Sequence, residues 1–96
     1  MPARMERLIW FLLAGTRGGV NRARILASLL ERPRNANQIA GVLGLNYRTV
    51  LHHLEILKEH GLITTPAGEA YGAVYFVSAL MQRHVDLLDR ILREGK

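Results

Sequence analysis

The segment NANQIAGVLGLNYRTVLHHLEILKEHGLI, running from Asn35 to Ile63, decides the fold. Asn35 is a side chain that can accept from free helix N–H groups, and Gln38, three residues on, can complete a capping box. A short helix follows, about Ala36 to Leu43, with Ile39, Ala40 and Leu43 inward. Gly44 supplies the left-handed residue that ends it. Asn46 caps the next helix, which runs to about His60 with Val50, Leu54 and Leu57 on one face, and Gly61 closes it. Ala40 is small enough for two helices to approach closely, Gly44 turns the chain, and Val50 packs the second helix onto the first. The period then changes. Leu62 to Thr65 and Ala73 to Val77 read as strands, joined by a loop of turn residues from Pro66 to Gly72. Two short helices across a glycine turn followed at once by a hairpin make a winged helix-turn-helix, whose second helix can enter a DNA major groove.

Working outward, Arg4 to Ala14 reads as a helix with Met5, Leu8, Ile9 and Leu12 on one face and Trp10, Phe11 and Leu13 filling much of the rest. Gly15 to Gly19 breaks it. A second helix runs from about Val20 to Glu31 and stops at Arg32-Pro33-Arg34. After the hairpin, Ser78 caps a last helix to about Arg93, with Met81, Val85, Leu88 and Leu92 on one stripe and Leu80, Leu87 and Ile91 on another. Both end helices carry more apolar surface than one contact needs, which asks for a second copy of the chain. The expected architecture is one mainly α domain over residues 1–96 with a small β-hairpin. Residues 4–14 and 78–94 are its dimerisation helices, 35–60 the helix-turn-helix and 62–77 the wing. The dimer contacts expected are Leu8, Trp10, Phe11, Leu13, Leu80, His84, Leu87, Leu88 and Ile91.

Ninety-six residues hold one core, and an apolar fraction of 49% makes a folded chain rather than a disordered one. Thirteen Lys and Arg against eight Asp and Glu give a net charge of +5, which favours an anionic partner. That charge is uneven: residues 1–34 hold seven Arg and two Glu, whereas residues 46–60 balance Arg48 and Lys58 against Glu55 and Glu59. From Gly61 to Gln82 there is no Lys or Arg at all, so a weak or non-contacting wing is expected. The chain has no cysteine, which excludes disulfides and thiolate metal sites and fits a reducing cytoplasm. The run Leu8 to Ala14 is far shorter than the roughly 20 residues that span a bilayer, and no small-residue cleavage site follows it. The expected setting is soluble and cytoplasmic, without a membrane partner.

The stretch from Leu45 to Ile63, with its Thr-Val-x-His-His-Leu-x-x-Leu-x-x-x-Gly-Leu core, resembles the recognition-helix block of the ArsR-type winged-helix repressors. From Thr16 to Ile63, including Asn-Ala-Asn-Gln-Ile-Ala, the sequence is most similar to small archaeal members. The resemblance covers about residues 16–77. It implies a homodimer joined through the first and last helices and bound to a palindromic promoter site.

On a helical wheel, Arg48, His52, Glu55 and Glu59 lie opposite the core stripe of the recognition helix, with Tyr47 and Leu51 flanking and Thr49 on the other side. Arg48 is the candidate to read guanine O6/N7 or to grip a phosphate, and His52 the second base-edge reader. Tyr47 can meet a phosphate or a thymine methyl, or pack on the preceding helix. Asn46 and Thr49, in the first turn, complete the recognition-helix set. Asn37 and Gln38 open the preceding helix toward the backbone. Arg17, in the glycine-rich loop, is a candidate phosphate clamp, and Arg24 points away from its helix's core stripe. Tyr71 is the wing's candidate. His53 reads as a packed core histidine, Arg22 as the partner of a carboxylate, and Arg32 and Arg34 as either surface charge or backbone contacts.

Metal-sensing relatives use thiolates, which this chain lacks, or Asp and His on the last helix. His84 and Asp86 are two apart and face different ways, so neither metal nor cofactor is expected. No phosphate-binding glycine loop follows a strand, and no nucleophile-base constellation stands out, so an enzyme is not expected either. Three functions remain open at this level: a sequence-specific dimeric regulator, an architectural DNA coater, and a winged-helix module that binds protein.

Overall fold

The computed structural model describes residues 2–66 and 72–94. Six helices and three short strands alternate as α1 (Pro2–Leu13), α2 (Gly19–Glu31), β1 (Arg34–Asn35), α3 (Ala36–Leu43), α4 (Tyr47–Glu59), β2 (Ile63–Thr64), β3 (Val74–Val77), α5 (Ala79–Gln82) and α6 (Val85–Glu94). Helix α2 is the hub, touching α1, α3, α4, α6 and β3. Its Ala23, Ile25, Leu26 and Leu29 are buried, and the core spreads from them to Ile9, Leu12 and Leu13 of α1, Leu54 and Leu57 of α4, and Leu88 and Ile91 of α6.

The caps form where the sequence places them. The Asn35 side chain accepts from Gln38 N–H while the Gln38 side chain accepts from Asn35 N–H, each at 2.8 Å, a complete capping box. Gly44 ends α3 at φ 68°, and Asn46 accepts from the N–H groups of Arg48 and Thr49. These local bonds set the angle between α3 and α4 before any long-range packing is counted.

The sheet has three strands in the order β1-β3-β2, not the two of the expected hairpin. Arg34 and Asn35 pair antiparallel with Tyr75 and Val74, so the residues that stop α2 also edge the sheet. Ile63 lies opposite Val77 and Thr64 opposite Phe76. The first pair is buried and the second exposed, as period-two alternation requires. Tyr71 and Glu69, at the expected wing tip, lie outside the described residues.

Three other expectations need correction. The last helix is broken between α5 and α6 at Arg83 and His84. The break is stitched by His84 N–H to the Met81 carbonyl at 2.8 Å, and by the His84 ring Nδ1 to the Leu80 carbonyl at 3.1 Å. Leu13, Leu88 and Ile91, expected to meet a second copy, are at most 4% exposed and belong to their own protomer's core. Leu8, Leu80, His84 and Leu87 are only half-buried, and Trp10 and Phe11 are exposed, so these six keep surface for a partner. Arg34 is buried rather than on the surface, donating from Nε to the Ser28 carbonyl and from Nη2 to Glu31.

Candidate nucleic-acid interface

Helix α4 buries Val50, His53, Leu54 and Leu57 and turns Arg48, Thr49, Leu51, His52, Glu55 and Glu59 to solvent. Arg48 and Thr49 stand in the first turn, where Asn46 has taken up two of the free N–H groups. Asn46 therefore spends its carbonyl oxygen on the cap. Tyr47 is half-buried and packs against the core, which leaves only part of it for a contact. Arg48, Leu51, His52, Glu55, Lys58 and Tyr75 line one open concavity between α4 and β3. Among the described residues that line it, Arg48 and Lys58 are cationic against the one carboxylate of Glu55, so an anionic backbone can enter at this point.

Lys58 and Tyr75 do not stand out in the sequence. Charge accounting sets Lys58 against the neighbouring glutamates and hides it. The inward register of Tyr75, with Val77 on the same side of β3, is the one signal that could have found the tyrosine. Asn37 and Gln38 are exposed on the first turn of α3. Arg17 is exposed in the α1–α2 loop. Arg24 is half-buried and engaged, donating from Nη1 to Asn21 and from Nη2 to the Leu43 carbonyl at the end of α3. It braces two helices rather than standing as a free clamp. Asn37, Gln38, Asn46, Arg48, Thr49 and His52, with Arg17, are thus exposed, whereas Tyr47 is half-buried and Arg24 is engaged.

Behind the exposed face lies an unexpected cluster. Arg22 is 4% exposed and pairs no carboxylate among the described residues. Its Nε donates to the Leu12 carbonyl at 3.0 Å, its Nη2 to Thr16 Oγ1 and the Arg17 carbonyl, and its Nη1 to His53 Nδ1 at 3.2 Å. A cation at the C-terminus of α1 meets the negative end of that helix, which helps to explain how the charge is held without a counter-ion. Burial lowers the pKa of Arg22. Burial first, then the Arg22 charge and His52, lower that of His53. His53 therefore stays neutral in the folded chain at pH values where the unfolded chain would already be protonated. The unfolded state binds the extra proton there, so stability is full above the ordinary histidine range and falls as pH drops through it. Arg22→Leu is expected to lower stability by about 2 kcal/mol, because several acceptors lose their donor while the new side chain recovers some apolar burial. Urea melts at neutral pH check this, with an unchanged midpoint as the contrary result.

Residues 19–65 match the family model described as bacterial regulatory protein, arsR family. The chain carries an ArsR-family helix-turn-helix domain. The match spans α2 to β2 and so contains both helices of the motif. No curated protein matches the sequence. Among solved structures, the homodimeric winged helix-turn-helix DNA-binding domain of Mb0332 from Mycobacterium bovis is 25% identical. It aligns over 98% of this chain and 85% of its own, with a TM-score of 0.70. Reduced HlyU from Vibrio cholerae is 22% identical over 94% of this chain and 92% of its own, with a TM-score of 0.69. Rv0081 of Mycobacterium tuberculosis is 21% identical over 97% and 94%, with a TM-score of 0.64. The last two likenesses are of fold; the family match carries the function of this ArsR-family domain, DNA binding in a transcriptional regulator. Among the described residues, no three His, Asp or Glu side chains converge on a metal-sized site, and no helix is long and apolar enough to cross a membrane.

Proposed function

We propose that the protein is a homodimeric, sequence-specific repressor that sets the N-terminal half of α4 into the major groove at each half of a palindromic site. The observation that carries this reading is the capped N-terminal half of α4, which exposes Arg48, Thr49 and His52 beyond Asn46 inside the matched family domain. Arg48 and His52 read base edges, and Tyr47 and Thr49 flank them. Arg17, Asn37 and Gln38 hold phosphates. Lys58 adds charge where α4 leaves the groove. Leu8, Trp10, Phe11, Leu80, His84 and Leu87 form the contact between copies. The homodimeric state of the Mycobacterium bovis domain supports that arrangement. The protein works in the cytoplasm as a binding protein rather than an enzyme, and the reading calls for no metal or cofactor.

The test uses a duplex recovered by selection from random-sequence DNA, and a scrambled duplex, at one fixed salt concentration. The selected duplex is expected to bind about a thousandfold tighter or more. Equal affinity for both would make the protein an architectural coater, and no duplex binding would leave only the protein-binding reading. A monomeric sedimentation mass at micromolar concentration would overturn the interface.

A further inference from the structure

His53 lies on the face of α4 away from solvent, 6% exposed, and it meets the loop that carries Arg17. Gly18 sits in that loop at φ 84°, and a Cβ built on it would stand 2.8 Å from His53 Cε1. The imidazole therefore lies close against the loop at Gly18, with no room for a side chain between them. Across the same gap, the Arg22 guanidinium joins four places: the end of α1 at Leu12, Thr16 and the Arg17 carbonyl in the loop, and His53 in α4. A guanidinium has only hydrogens to offer, so Nδ1 of His53 must accept, and the ring proton resides on Nε2.

We propose that Arg22 and His53 are positioning residues that hold the recognition helix in register with the Arg17 loop, and that protonation of His53 releases this latch and weakens DNA binding. A proton on Nδ1 turns the acceptor into a donor facing a donor, and it puts two cations about a hydrogen-bond length apart. Among the described residues, no neighbouring group offsets that. The ionisable side chains that face the ring are Arg22 from α2 and His52 from α4 itself. Helix α3 and strand β2, which also pack on α4, contain no ionisable residue. The other ionisable residues of α2 are turned elsewhere, Arg24 to the Leu43 carbonyl and Glu31 to Arg34. Release frees the loop and α4 to move apart, although both must grip one duplex. The inference rests on the DNA-binding reading and adds to it an acid-sensitive control.

His52 is a second imidazole, exposed on the same helix, so it is removed from both proteins compared. The experiment therefore compares the full-length His52→Gln protein with the His52→Gln, His53→Asn double variant. The asparagine oxygen replaces the Nδ1 acceptor and takes no proton in this range. Affinity for the selected duplex is measured at constant salt from about pH 8 to about pH 5.5. The single variant is expected to lose affinity on acidification by up to about tenfold per pH unit per protomer, and the double variant to lack that limb. Parallel curves would overturn the latch. No duplex binding by the wild type at the alkaline end would instead overturn the DNA-binding reading, and with it this consequence for affinity. The latch is also read without DNA in the wild-type protein. The His53 ring and the Gly18 amide are expected to titrate with one midpoint in nitrogen-proton spectra, and a Gly18 amide that stays flat while the ring titrates would overturn it.

Discussion

Gly19→Ala is expected to destabilise the protein by about 3 kcal/mol or more, which lowers the melting temperature by roughly 15 °C for a domain of this size. A Cβ at this position would lie 2.6 Å from the Leu13 carbonyl oxygen and 2.7 Å from its carbon. Those are backbone atoms at the end of α1, so no rotamer change relieves the overlap. Nor can α1 move away freely. The Leu13 side chain is wholly buried, and the adjoining Leu12 carbonyl is held by Arg22. The clash must therefore be relieved by separating α1 from α2, which opens the core where the two helices meet. Gly41→Ala is the control. It sits in α3, where a Cβ added to it would meet nothing within 4 Å. Removing a helix glycine there is expected to raise stability by about 0.5–1 kcal/mol. Thermal melts of both variants check the pair. Equal and small effects would mean that the α1–α2 junction is looser than its geometry.

The helix-turn-helix was legible because its signals are local. Asn35 with Gln38, Gly44 and Asn46 each act within four residues of the backbone groups they satisfy, so their spacing could be read without knowing what lies elsewhere. Strand β1 was not legible for the opposite reason. Arg34 and Asn35 become a strand only through β3, some 40 residues away, and on their own they look like a helix stop and a cap. The break at Arg83 and His84 had no proline or glycine to mark it, because a histidine ring bonding the Leu80 carbonyl ends the turn instead.

The site was legible in its outward half and hidden in its inward half. Helix periodicity placed Arg48 and His52 outside and His53 inside. It could not show that the inward histidine meets Arg22, because that contact joins residues 31 apart. The expectation of a carboxylate for Arg22 failed because backbone carbonyls, a hydroxyl and an imidazole supply its acceptors. The proposed dimer face was blurred by the same excess of apolar surface that suggested it. When α1 is apolar nearly all round, the pattern does not say that Leu13 turns to its own core while Trp10 and Phe11 turn away.

We propose that the first turn of α4 reads DNA in a dimer, and Arg48→Ala probes this: Arg48 is exposed, so the variant should fold, and it is the base-edge reader proposed on that turn. A bidentate arginine is worth about 1–3 kcal/mol at each base it reads. A symmetric dimer loses it twice, so affinity for the selected duplex at fixed salt is expected to fall by roughly 30-fold to 20,000-fold. Base preference should relax at the matching position in each half-site, while the sedimentation mass stays that of the dimer. An Arg48→Ala protein that binds the same duplex with the same affinity and the same base preference would mean that the first turn of α4 does not read DNA.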